Sequence, residues 1–325
     1  MVAAAVTPFG FVTRIPFAPL PLAVVVVAVA WYLRTAYDLD HRVDPPESVW
    51  PLNRTVAFCF GMGVVAVAML SGLASWDQSN YFVHGTIDML LGMVAPIFLA
   101  LGSPLTLAHE AAGADGRQAL SRVLASRSVR VVSHPVTAWV IFGASLFAQY
   151  YSPWFRVARG NETLLQLGHL ELLVAGCLLI WPVVGADPIA RRLPPGLRIA
   201  DIMFALPFYT VFGMGLDSLN SVIAPGITIA GVHGAGDIIW SAGEVIGLAA
   251  SAGILYHWMM ADLRRARLDE SADADALGMQ AALWRVSRLL AKPEEVREAE
   301  RVAALKAETV AATGRPGEQA GPPGQ

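Results

Sequence analysis

Charge is what this chain has least of. Only 15% of its 325 residues are Asp, Glu, Lys or Arg, against about 25% in soluble domains, and the mean hydropathy is +0.52. A water-soluble domain is excluded. The formal charge of −3 leaves no field of lysines to hold a nucleic acid, so no nucleic-acid partner is expected. Cysteine is scarce too: Cys59 and Cys177 lie alone in apolar runs, which excludes a C-x-x-C site or a disulfide framework and leaves two small core residues. The sequence also lacks internal repeats, a glycine-rich phosphate loop, a nucleophile elbow and strand-length alternation. Nothing in it supports an enzyme.

Long apolar runs are abundant. A membrane-spanning helix needs about 20 mostly apolar residues, and seven stretches qualify: 20–37, 55–74, 82–107, 134–151, 163–184, 199–219 and 236–260. The expected fold is an all-α integral membrane protein, a seven-transmembrane-helix bundle over residues 1–260. Cytoplasmic loops retain Lys and Arg. With the N-terminus outside, 20 of the 23 basic residues fall inside, and only Arg14, Arg156 and Arg159 remain outside. The prediction is therefore N-out and C-in. The run from Leu22 to Ala30 resembles a signal-peptide core, but Arg34 and Arg42 follow it while only Arg14 precedes it, which favours an uncleaved first helix.

Residues 261–325 read as a cytoplasmic tail. Arg264, Arg265 and Arg267 anchor it, Leu277 to Leu290 mixes apolar residues with Arg285 and Arg288 as a surface helix would, and Pro293 opens a charged helix to about residue 312. The Gly- and Pro-rich end, 314–325, is expected to be disordered.

A charged side chain at bilayer depth costs about 2.5–3.5 kcal/mol, so each one needs a partner or a task. His84 and Asp88 are four apart and share one side of the third span. His169 and Glu171 are two apart in the fifth and diverge. Asp237 and Glu244 are two turns apart in the seventh, with His233 extending their stripe. Asp88 and His169 lie about 9 Å below the outer boundary and Glu244 about 12 Å. Asp217 and Asn220 reach the outer rim, and Trp76, Asp77, Gln78, Asn80, Tyr81, Tyr150 and Tyr151 form a roof. Imidazole with carboxylate is a transition-metal donor set, so His84, Asp88, His169, Glu171, His233, Asp237 and Glu244 are the candidate metal ligands; a hydrogen-bonded or proton-carrying polar cluster is the alternative. Met62, Met69, Met89, Met93 and Met214 could add soft donors but equally fill core gaps. His134, Asp201 and His257 read as boundary residues, and Pro96 and Pro207 as kinks.

Several phrases resemble one family together. The stretch from Phe82 through His84-Gly-Thr-Ile-Asp88 to Gly102-Ser-Pro104, His134-Pro135, Gly168-His169-Leu-Glu171 with Ile180-Trp181-Pro182, and Asp237-Ile-Ile-Trp240 with Gly243-Glu244 are similar to the CtaG-like assembly factors of caa-type cytochrome c oxidase, over roughly residues 20–260. The resemblance implies a multi-pass bacterial plasma-membrane protein that acts on cytochrome c oxidase subunits and holds or passes copper at the outer face. His84 and His169 match family histidines, whereas Asp88 stands where the family usually has a second one. A copper permease, or a membrane enzyme or haem-handling protein using the same layer, are the competing functions.

Overall fold

The computed structural model describes residues 18–41, 50–185, 187, 195–221, 223–290 and 293–313. Among them there are helices and no strand. In chain order they are α1 (Pro19–Asp40), α2 (Leu52–Leu70), α3 (Gly72–Asp77), α4 (Tyr81–Met89), a π-helical turn (Leu90–Val94), α5 (Ala95–Leu101), α6 (Pro104–Ala111), α7 (Ala114–Leu124), α8 (Arg127–Val132), α9 (Pro135–Tyr151), α10 (Trp154–Ala158), α11 (Glu162–Val184), α12 (Pro195–Asp217), α13 (Ile229–Leu290) and α14 (Pro293–Thr313). Arg14, Arg42, Arg191, Arg192, the side chains of Arg265 and His257, and the 314–325 end lie outside the described residues.

Five helical stretches are long and apolar enough to cross a membrane: Pro19–Asp40, Leu52–Leu70, Tyr81–Ala111, Glu162–Val184 and Gly196–Asp217. Pro135–Tyr151 has 17 residues, at the lower end of the spanning range of about 17–25. The stretch expected as a seventh span lies inside the 62-residue α13. That helix runs unbroken through 262–275, where Ala, Leu, Arg and Glu are good helix formers and no proline intervenes.

Contacts divide the chain into two units, Met1–Tyr256 and His257–Gln325. In the first, one apolar core gathers around α9, α11, α12 and the start of α13, with Phe142, Leu172, Tyr209 and Ile239 at its centre. A second gathers around α1, α2, α4 and α5, with Tyr32, Val65, Ile87 and Leu91. In the second unit, α14 begins at Pro293, whose missing N–H is harmless in the first turn.

Two local breaks position the site. Ser71 is extended and its hydroxyl caps α3 by accepting from the Leu73 N–H at 3.2 Å, so α2 ends and a separate short helix carries Asp77. Asn80 then caps α4, accepting from the Phe82 N–H at 3.1 Å. The chain thus leaves α3 and enters α4 within three residues, which brings Asp77 beside the first turn of α4.

Candidate metal centre

His84 lies in the first turn of α4 and Asp88 one turn further along; Asp77 comes from the end of α3 and His169 from α11. All four are buried, at 1%, 1%, 2% and 4% exposure respectively. The Nδ1 of His84 is 2.7 Å from Asp77 Oδ1. An ionised Asp77 can only accept this bond, so Nδ1 carries a proton, and in the neutral ring Nε2 is then the atom with the lone pair. Burial pushes the Asp77 carboxyl up, yet the positive charge that the adjacent His169 and His84 rings carry when protonated, with the His84 hydrogen bond, outweighs it and holds the group below its ordinary value.

The free atoms converge. His84 Nε2 is 3.5 Å from Asp88 Oδ2, and His169 Nε2 is 3.5 Å from Asp88 Oδ1 and 3.6 Å from Asp77 Oδ2. His84 Nε2, His169 Nε2 and Asp88 Oδ1 are buried without a hydrogen-bond partner. Distances of this size are too long for strong hydrogen bonds. They do match the separation, about 3.4 Å, of two ligand atoms each about 2.1 Å from one tetrahedral cation. One ligand atom from each of Asp77, His84 and His169 lies within 4.8 Å of the others. The donor set therefore fits a divalent transition-metal ion, with the two carboxylates supplying the compensating charge. Tyr150 donates its hydroxyl to Asp88 Oδ2 at 2.8 Å and fixes that carboxylate from behind. Aromatic rings cover one side of the cluster: Tyr81 stacks on His84 at 5.4 Å between centroids, and Phe155 lies 4.7 Å from it.

Of the seven residues singled out in the sequence, the structure gathers His84, Asp88 and His169. Glu171, some 200° around α11 from His169, accepts from the Ser145 hydroxyl on α9. His233 Nε2 is 2.9 Å from the Leu219 carbonyl, and its Nδ1 is 3.7 Å from Asp217. Asp237 accepts from Trp240 Nε1 at 3.3 Å, and Glu244 accepts from the Thr210 hydroxyl at 2.7 Å. The α13 stripe is thus occupied with α12 and with itself. The fourth member, Asp77, is read from sequence only as roof; the signal for it is an acidic residue just ahead of the α4 cap. Tyr150, also placed in the roof, donates to Asp88 instead. Met89 and Met93 pack in one apolar core and Met62 and Met69 in the other, whereas Met214 is exposed. Both cysteines are free and half-buried.

The model of the cytochrome c oxidase caa3 assembly factor family matches residues 30–261. An uncharacterized protein of Mycobacterium bovis and one of Mycobacterium tuberculosis are each 32% identical over 249 residues, covering 70% of this chain and 37% of the relative. A third, from Mycobacterium leprae, is 30% identical over 256 residues, covering 72% of this chain and 38% of the relative. The chain thus spans little more than a third of the length of these relatives. No solved structure matches it.

Proposed function

The chain belongs to the cytochrome c oxidase caa3 assembly factor family, and from that membership we propose that it is a non-enzymatic, multi-pass plasma-membrane protein that presents copper to oxidase subunits during their maturation. The reading includes seven spans, N-out and C-in, with the cluster in the outer half of the bilayer. Its principal support is a buried group, Asp77, His84 and His169, whose ligand atoms lie within 4.8 Å of one another, and in which His84 Nε2 and His169 Nε2 have no hydrogen-bond partner. Leaving such atoms without a partner costs about 1–3 kcal/mol each, and a cation would satisfy both nitrogens.

The residues divide the work. His84 and His169 supply nitrogen donors, Asp88 and Asp77 supply charge, and Tyr150 fixes the orientation of Asp88. A copper ion bound there is cargo, and nitrogen with carboxylate oxygen suits its cupric state. The apolar lid of Tyr81 and Phe155 keeps bulk water from competing for it.

The test combines metal content with oxidase output. His84→Ala and His169→Ala should each lower copper in the purified protein while leaving its membrane level unchanged. A deletion strain should make oxidase subunits of low activity with normal total cell copper, and added copper should partly restore activity by mass action. A fall in total cell copper would favour a permease, and normal oxidase activity in the deletion would overturn the assembly role.

A further inference from the structure

The buried cluster poses a problem of access. Tyr81 and Phe155, both fully buried, stop its outer side, so a cation cannot reach it directly from the aqueous face. A second opening lies to one side.

Leu164, Leu167, Gly168 and Glu171 fall at i, i+3, i+4 and i+7 on α11 and therefore share one face. Ile141, Ala144, Ser145 and Ala148 do the same on α9, and the two faces bound a cavity of about 620 Å³. Its wall is largely aliphatic, yet it holds Glu171 and Gln149. Glu171 is exposed although it lies nine residues into α11, about 13 Å along it. Its contact with Ser145 is slight compensation for a carboxylate at that depth, and a carboxylate so weakly compensated there points to a task. Gln149 is 4% exposed, and its amide nitrogen has no partner.

The groove and the cluster share a partition. Glu171 faces the groove, while His169, two residues before it on α11, faces the cluster. Gly168, beside His169, has no side chain; a Cβ there would come within 3.2 Å of Trp154 Nε1. Trp154 lines the groove, and the next residue, Phe155, lies against His84 in the cluster. The short α10 thus closes both compartments with consecutive aromatic residues, and a shift of this one turn would connect them.

We propose that the groove between α9 and α11 is a lateral port through which a divalent transition-metal cation exchanges with the His84, His169, Asp77 and Asp88 cluster, with Glu171 as its transit carboxylate and the α10 pair as its gate. This rests on the cluster being a metal site, and the roles differ in kind. The cluster sets how much metal is held; the port sets how fast it enters and leaves.

The experiment follows Cu²⁺ uptake by the full chain in detergent, using freeze-quenched electron paramagnetic resonance to time the appearance of nitrogen-coordinated copper. The His84→Ala, His169→Ala double variant provides the background. Glu171→Gln keeps the shape and removes the charge, and Ala148→Phe fills the groove. Glu171→Gln should slow uptake by at least about tenfold, the rate equivalent of losing one modest charge interaction, and Ala148→Phe, by obstructing the path, by at least about as much, both with unchanged final stoichiometry. Glu162→Gln, on the same helix but paired with Gln166 at 3.1 Å, should leave the rate alone. Unchanged rates in both groove variants would overturn the port. A reduced endpoint in Glu171→Gln would make that residue a ligand and overturn its transit role. Wild-type protein that gains no nitrogen-coordinated copper above the double variant would remove the metal site itself, and the port with it.

Discussion

Asp77 fixes the tautomer of His84, and this determines whether the cluster offers a lone pair or an N–H at its centre. Its replacement therefore acts on affinity before it acts on folding. Asp77→Asn keeps an acceptor for Nδ1–H but removes a charge, whereas Asp77→Leu removes both. Loss of an orienting partner of this kind typically weakens metal binding about 10- to 100-fold. Competition titration of Cu²⁺ should place Asn at the mild end and Leu at the severe end; equal affinity in all three proteins would remove Asp77 from the site. At this scale the sequence is informative where spacing is local. His84 and Asp88 are one helical turn apart and meet as that spacing requires. Asp77 is seven residues from His84, but a cap and a change of helix intervene, so pairing them depends on the Asn80 turn. Glu171 diverges from His169 as its spacing of two demands. Nothing in that spacing shows that it faces a groove.

Among the elements, the pivot is where α4 passes into α5. Pro96 has no N–H for the carbonyl of Gly92 four residues earlier, and the chain widens there into the π-helical turn Leu90–Val94, a distortion common at functional sites. Gly176 of α11 packs against that same carbonyl. A Cβ on Gly176 would overlap the Gly92 oxygen and lie 2.9 Å from its carbonyl carbon. This close approach brings α11 near enough for His169, about two turns away, to meet His84. Gly176→Val should therefore destabilise the protein by about 1–3 kcal/mol through overpacking and lower its copper content as well. Gly63→Ala is the counterpart. Its added Cβ meets nothing within 4 Å, and the gain in helix propensity is up to about 1 kcal/mol. Thermal unfolding in detergent should separate the two variants in opposite directions. A kink at Pro96 is legible in the sequence. Its conversion into a π-turn, and the choice of Gly176 as partner, are not, because both depend on the depth at which another helix crosses.

For the whole molecule, the helical class and the apolar runs are readable because hydropathy over about 20 residues is a strong signal, whereas the side of the membrane is carried only by the placement of arginine. Contacts join several of the connections to one another. At one end, the 71–80 and 152–161 connections meet through Tyr81 and Phe155, whose centroids are 4.8 Å apart, and Arg159 reaches the Pro225 carbonyl in the connection after α12. Elsewhere Asp187, after α11, accepts from the Leu105 N–H at 3.0 Å and from the Thr106 hydroxyl at the start of α6, and Trp139 of α9 donates to Asp201 of α12 at 2.8 Å. The α7 and α8 helices, which carry Arg117, Arg122, Arg127 and Arg130, have no buried residue. If the arginine-rich set is cytoplasmic, the metal cluster and the α10 gate belong to the outer half of the bilayer. Single cysteines test this once Cys59 and Cys177 are replaced by alanine. In intact cells, a membrane-impermeant maleimide should label Ser79→Cys and Asn161→Cys, but label Gln118→Cys and Ala303→Cys only after permeabilisation. The reversed pattern would place the cluster at the cytoplasmic side, where the proposed presentation of copper at the outer face fails on geometry.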